Sequence, residues 1–139
     1  MIKVAGASNL AGKILIDVTN PLDFSAGGAP HIATAAKDSA GECVQRLLPD
    51  SRVVKAWKIV NARFMIDPAF PGGPPTMFIC GNDPTARAEV ARLLESVGWE
   101  VADLGGIEAS RYIEGLAMAW IWYGFATNTW DHAFRLIRK

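Results

Sequence analysis

A chain of 139 residues fits one domain, and with half of its residues hydrophobic it is no disordered protein. Fourteen Lys and Arg balance fourteen Asp and Glu, which leaves no basic surplus for a nucleic-acid footprint. Two cysteines, Cys43 and Cys80, are too few for a disulfide framework and match no zinc spacing, so two buried thiols in a reducing cytoplasm are expected.

"MIKVAGASNL" lacks the apolar run of a signal peptide. Its Gly6-x-Ser8-x-x-Ala11 spacing imitates a glycine-rich phosphate turn, but Lys13 and Ile14 already begin a strand. No helix of about three turns fits between Ala7 and Gly12, and a phosphate-binding unit needs about 30 residues. This opening segment is therefore predicted to be a lead-in or an edge strand with a turn.

"ILIDV" (14–18) predicts a strand buried on both faces and ended by "TNP". Residues 23–38, rich in Gly, Ala and Ser, read as a loop. Ser39 and Glu42 have capping-box spacing for a helix to about Leu48, which Pro49 and Asp50 end. "RVVKA" (52–56) predicts a second strand, 60–67 a helical turn or two, and "PAFPGGPP" a turn-rich loop. "TMFIC" (76–80) predicts a third strand. Asp83 then caps a helix with Pro84 at its first position and Gly98 at its end, and Val90, Leu93, Leu94 and Val97 form its apolar stripe. Residues 100–104 predict a fourth strand, and from Ile107 the pattern is helical almost to the C-terminus. The greasiest stretch, Leu116–Ala126, is too short for the roughly 20 residues of a membrane span. Strand and helix alternate, which predicts an α/β fold with a parallel sheet.

The blocks "GKILIDVTNPL", "LLPDSRVVKAWKIVNA", "PTMFICGNDPTARAEVARLLESVGWEVADLGGIEASRYIEGLAMAWI" and "HAFRLIRK" resemble the later portion of predicted dinucleotide-binding proteins related to the NADP:deazaflavin oxidoreductases. A remoter resemblance is to the reductase domains of metalloreductases. It covers about residues 12–139. The resemblance implies NADP and deazaflavin as cofactors and pairing of subunits through the C-terminal region. It also implies that the pyrophosphate turn lies upstream of Gly12, so the expectation is a chain lacking its own dinucleotide site. The expected fold is a reduced, truncated Rossmann-like parallel sheet of four to five strands with a long C-terminal helix. It forms one domain over 1–139, with 106–139 a helical dimerisation segment.

Ligands of open α/β sheets bind outside the carboxyl ends of strands. Thr19, Asn20 and Pro21 end the first strand, and the resemblance places this loop near the nicotinamide; the other reading of Asn-Pro is a turn. Lys55, Trp57 and Lys58 follow the second strand and make a candidate ligand cleft. Where the family usually reads close to "VKAFNT", this sequence has "VKAWKI", a cation and a hydrocarbon for two neutral hydrogen-bonding residues. Such a cleft suits a small planar or anionic ligand; otherwise Lys55 and Lys58 are a solvated pair. Arg111 and Glu114 share a helix face, as a polar pair over the cleft or, the preferred reading, a surface or interface pair. His31 and His132 have no ligand-spaced partners, so no metal is expected, and Ser25 and Ser39 lack a hydrolase nucleophile context.

Trp120, Trp122, Tyr123, Phe125, Trp130 and Phe134 surround one helix on several sides and predict a homodimer through it. The strand at 14–18 should leave an open edge, covered by Met1–Ala5 or by a second subunit. Three functions remain: a small-molecule-binding or interaction module without a dinucleotide site, an NADP-dependent oxidoreductase completed by a partner polypeptide or dimer site, and a folded but non-functional gene fragment. No nucleic acid or membrane partner is expected, and the location expected is cytoplasmic.

Overall fold

The computed structural model describes residues 5–34 and 37–139. In chain order they form a helical turn α1 (Ala7–Leu10), strand β1 (Ile14–Asp17), strands β2 (Leu22–Asp23) and β3 (His31–Ile32), helix α2 (Ala40–Leu47) and strand β4 (Arg52–Lys55). A 3-10 turn (Ala62–Phe64), β5 (Thr76–Ile79), α3 (Pro84–Ser96), β6 (Glu100–Asp103), a second 3-10 turn (Ile107–Ala109) and α4 (Ser110–Thr127) complete them. The four strands expected from apolar runs are all present, each one residue shorter.

β1 pairs with β4 and β5 with β6, both in parallel, with Asp17 opposite Lys55 and Ile79 opposite Asp103. The two pairs meet at one antiparallel bridge, where Lys55 N donates to Cys80 O over 2.8 Å. The fold is α/β with parallel strands, as expected, but its strands stand as two pairs rather than one continuous parallel sheet. Gly81 explains the junction: a Cβ there would lie 2.3 Å from Val53 O, so only glycine lets the chain leaving β5 press on the β4 backbone. β2 and β3 form an antiparallel hairpin that begins at Leu22 and runs into the stretch 23–38 expected to be loop. Two-residue strands carry no readable alternation, and Gly27 and Gly28 turn the chain at φ 73° and 72°.

Helices α2 and α3 start where their caps place them. Ser39 Oγ accepts from Glu42 N (3.2 Å), and Asp83 Oδ1 accepts from Ala86 N (2.9 Å) ahead of Pro84. Ala86, Val90 and Leu94 are the buried stripe of α3; Leu93, expected there, is 45% exposed. That stripe packs on Val54, Met77 and Ile79 from the strands. A smaller core under α4 gathers Val53, Cys80, Ile107 and Ile113. Cys80 is buried, whereas Cys43 is only half-buried, against the sequence expectation.

α4 ends sooner than the sequence pattern suggests. Asn128 takes a left-handed φ of 52° and stops it, and the rest of the chain runs back without helix. There Phe134 O accepts from Thr76 N (2.8 Å), so the tail lies along the start of β5. Trp120 is buried under Trp130 and His132, with His132 stacked on its ring at 4.6 Å. Trp122, Tyr123 and Phe125 are left about half exposed. Among the described residues no helix is long and apolar enough to cross a membrane.

β1 hydrogen-bonds only to β4 among the described residues. The expectation that Met1–Ala5 covers its other edge falls on residues 1–4, outside the described residues, and Ala5 is helical.

Candidate functional site

Three charged residues come from three elements: Asp17 in β1, Lys55 in β4 and Glu114 in α4. Folding brings them together at the carboxyl ends of β1 and β4. Lys55 Nζ lies 2.6 Å from Asp17 Oδ2 and 2.8 Å from Glu114 Oε1, with all three residues buried. Its third hydrogen bond goes to Thr19 O at 2.9 Å. An ammonium this deep is tolerated because every donor is met and two carboxylates share its charge. The expectation of a solvated Lys55–Lys58 pair fails: Lys55 is carried inward at the end of β4, and Lys58, in the turn that follows it, is buried too.

Each carboxylate has a second duty. Asp17 Oδ1 accepts from Thr19 N (2.9 Å) and Thr19 Oγ1 (2.7 Å), which turns the chain at the end of β1. Burial raises the Asp17 carboxyl, but the charge and hydrogen bond of Lys55, with those from Thr19, outweigh it and hold it below the usual carboxylate range. Glu114 accepts from Ala40 N (3.1 Å) and Gly41 N (3.2 Å), so a residue of α4 holds the first turn of α2. A Cβ on Gly41 would lie 2.7 Å from Ser110 Oγ and 3.1 Å from Lys55 Cδ, so glycine lets α2 come this close. Arg111 does not pair with Glu114: its guanidinium grips Glu42 at 2.8 Å and 2.5 Å. Glu114 points into the core and Arg111 outward, so the surface-pair reading is corrected.

Lys58 differs from Lys55. Its Nζ donates to Thr19 O (3.3 Å) and to Asn20 Oδ1, while Asn20 Nδ2 donates to Lys58 O (3.2 Å). Among the described residues no carboxylate pairs with it. Burial, and then the nearby Lys55 charge, pull its amine down to about 7. Thr19 is exposed, so the cluster reaches solvent at that rim.

The sequence-selected residues thus divide. Thr19, Asn20, Lys55 and Lys58 are in mutual contact. Pro21 has its carbonyl engaged by Ala33 N (2.7 Å), holding the hairpin. Trp57 adopts φ 51°, a left-handed conformation that costs a bulky residue energy, and this reversal returns the chain so that Lys58 faces Thr19. Its indole packs on the core and donates to Met65 O (2.9 Å), which also accepts from Trp99 Nε1 (3.0 Å). Asp17 was not selected from sequence, and Glu114 was selected for a different partner. The signal for both was there: a lone acid inside "ILIDV" and another inside "YIEGLAM" imply a buried base.

Two grooves, of about 620 and 700 Å³, lie apart from this cluster, one between α3 and the C-terminal tail, the other beside the start of β4.

No family model matches the chain. Among solved structures, a candidate F420-dependent NADP-reductase from Arthrobacter sp. FB24 matches 98% of this chain and 63% of its own at 46% identity and a TM-score of 0.92. In sequence and fold the chain is similar to the C-terminal portion of NADP oxidoreductase-like proteins. A hypothetical protein from Sinorhizobium meliloti matches 72% of the chain and 48% of its own, with 34% identity and a TM-score of 0.60. Among curated proteins, rat metalloreductase STEAP3 is 28% identical over 112 residues and human metalloreductase STEAP2 32% identical over 113, covering 81% and 78% of this chain. The chain spans about a fifth of the length of these metalloreductases, 21% and 20% respectively.

Proposed function

We propose that this chain is the acceptor-side portion of an NADP oxidoreductase fold which, by itself, holds no dinucleotide and serves as a cytoplasmic small-molecule-binding or interaction module. The carrying observation is the closure of the strand-end cluster. Lys55 spends its three donors on Asp17, Glu114 and Thr19, and both carboxylates also anchor backbone. Such groups hold a scaffold in shape. Of the two buried lysines, Lys58 has no carboxylate partner among the described residues; it lies beside an exposed Thr19 and suits a small planar or anionic ligand at that rim. NADP and a deazaflavin enter only by kinship, since the Arthrobacter relative is described as acting with NADP and F420.

A second reading is an NADP-dependent oxidoreductase completed by another polypeptide segment or by a dimer site. It is supported by the TM-score of 0.92 over 98% of the chain, because the matched 63% of the relative keeps the same framework. A thermal-shift screen of the purified chain against NADP, NADPH, flavins and deazaflavins separates the two. The first reading expects no stabilisation by NADPH alone. It expects a saturable shift with a small anion or planar acid that Lys58→Met abolishes. A shift of several degrees with NADPH alone rejects it in favour of the second.

A further inference from the structure

The acceptors around the two buried lysines differ in number. Lys55 Nζ meets Asp17 Oδ2 (2.6 Å), Glu114 Oε1 (2.8 Å) and Thr19 O (2.9 Å), which match the three N–H groups of an ammonium ion. Lys58 Nζ meets two acceptors among the described residues, Thr19 O (3.3 Å) and Asn20 Oδ1, and neither carries a charge. Two acceptors satisfy the two N–H groups of a neutral amine. A third hydrogen would be buried without a partner, beside a cation that already holds the same Thr19 carbonyl. The charged and titratable groups around Lys58 are Lys55 on β4, Glu114 on α4, Asp17 on β1 and Cys80 just after β5. Both carboxylates are engaged by Lys55, and burial keeps the Cys80 thiol protonated far above neutral pH. The fall of the Lys58 amine to about 7, through burial and then the Lys55 charge, follows from this arrangement.

A neutral amine whose two N–H groups both donate keeps one lone pair, directed away from both acceptors. Desolvation and a neighbouring cation are what turn a lysine into a nucleophile toward carbonyl compounds. The nitrogen lies just under the surface: Lys58 is 4% exposed, but Asn20, which covers its amine, is half-buried, and Thr19 beside it is exposed. Asn20 is held there by two hydrogen bonds to Lys58, one accepted from Nζ and one donated from Nδ2 to Lys58 O (3.2 Å), so rotation of one short side chain uncovers the amine. We propose that Lys58 captures a small planar aldehyde as a reversible imine at the Thr19–Asn20 rim. The lone pair adds to the carbonyl carbon and forms the C–N bond, while the C=O π pair moves to oxygen. That oxygen takes up the equivalent of both amine hydrogens by proton transfer through solvent, and it leaves as water when the C=N bond forms. Nothing is oxidised or reduced. In the product the Thr19 carbonyl keeps its bond from Lys55, and Asn20 turns to solvent. This rests on the first reading above and narrows its ligand from planar or anionic to planar, because a free amine offers an anion no charge.

The test treats the purified chain with benzaldehyde at neutral pH, traps the imine with cyanoborohydride and locates the adduct by peptide mass mapping. Lys58 should be labelled first, roughly tenfold or more faster than any solvated lysine, since an exposed lysine is almost wholly ammonium at neutral pH. Its rate should saturate with aldehyde concentration and level off from about pH 8, a unit above its amine, while labelling elsewhere is still rising. Lys58→Met should abolish the fast phase. Label spread over surface lysines, with Lys58 unlabelled or last, overturns the inference, and that map needs no variant. So does a Lys58 rate that keeps rising to about pH 10, the behaviour of an ordinary ammonium. Benzoate, which has the same ring but no electrophilic carbonyl, keeps the two claims apart. A thermal shift by benzoate that Lys58→Met abolishes, without fast labelling by benzaldehyde, refutes the imine and leaves the rim as a binding site. Fast labelling of Lys58 together with stabilisation by NADPH alone rejects the first reading and leaves the imine standing.

Discussion

At Lys58 an amine is buried against two carbonyl oxygens with another ammonium close by, and its neutral form is the one the fold prefers. With its folded value near 7 and an ordinary value of 10.5, the unfolded chain binds more protons between those limits. Stability should therefore rise with pH from about 7 upward, and below 7 the two states are protonated alike and the penalty is constant. Cys80 works in the opposite sense above its ordinary 9.0, because burial pushes its thiol up to about 12, so the clean window is pH 7 to 8.5. Lys58→Met should flatten the slope in that window and raise stability at pH 7 by about 1 kcal/mol or more, roughly 3 °C in Tm. The Thr19 carbonyl keeps its bond from Lys55 in the variant, and Asn20, only half-buried, keeps its donor to the Lys58 backbone. Melting curves across that window read the result. A wild-type profile already flat there would mean that water reaches the amine and that Lys58 is an ordinary lysine.

Among the elements, the clasp between α4 and the returning tail is the one whose cause lies in a single missing side chain. A Cβ at Gly124 would fall 2.5 Å from Trp130 Cζ3, so Trp130 seats on the helix only because that position is glycine. Gly124→Val should displace the indole and loosen the tail at a cost of about 1–3 kcal/mol, despite valine's better helix propensity. Hydrogen exchange at Thr76 reports it, because that amide donates to Phe134 O and should exchange faster when the tail lifts. Unchanged protection at Thr76 would show that the tail is held by Arg135 and Glu100 instead. This clasp also marks where the sequence stopped being legible. Strand runs such as "RVVKA" and "TMFIC", and caps such as Asp83-Pro84, are local signals, and they placed their elements within a residue. The turn at Asn128 is decided by what Trp130 and His132 find when they fold back, which no window of sequence contains. The Asp17–Lys55–Glu114 cluster is intermediate: each charge was visible, but the partners of Lys55 lie 38 and 59 positions away along the chain. Their meeting depends on strand pairing and on α2 docking under α4.

For the whole molecule, the question left by packing is what covers the outer side of α4. Tyr112, Gly115, Ala119, Trp122 and Ala126 are all exposed and follow a 3-4-3-4 spacing with no charge among them. That is the repeat of a two-helix seam, with small residues at 115 and 119 allowing close approach. Tyr112 is 76% and Trp122 50% exposed, and neighbouring Tyr123 54%. Burying each such aromatic contributes about 1.5–3 kcal/mol, so two copies pairing along this stripe gain enough for a stable contact once the cost of association is subtracted. The proposed homodimer therefore uses α4 itself, Ser110–Thr127, rather than the whole of 106–139, because the tail is occupied against β5. Sedimentation velocity at tens of micromolar should show twice the chain mass. Trp122→Glu should leave a folded monomer, since among the described residues that indole makes one hydrogen bond, to Pro30 O at 3.2 Å, at the edge of the hairpin. A substitution in the tail, Ile137→Glu, at a side chain 87% exposed and off the stripe, should leave the dimer intact. If Ile137→Glu dissociates the protein and Trp122→Glu does not, the copies meet through the tail and the outer side of α4 belongs to some other partner.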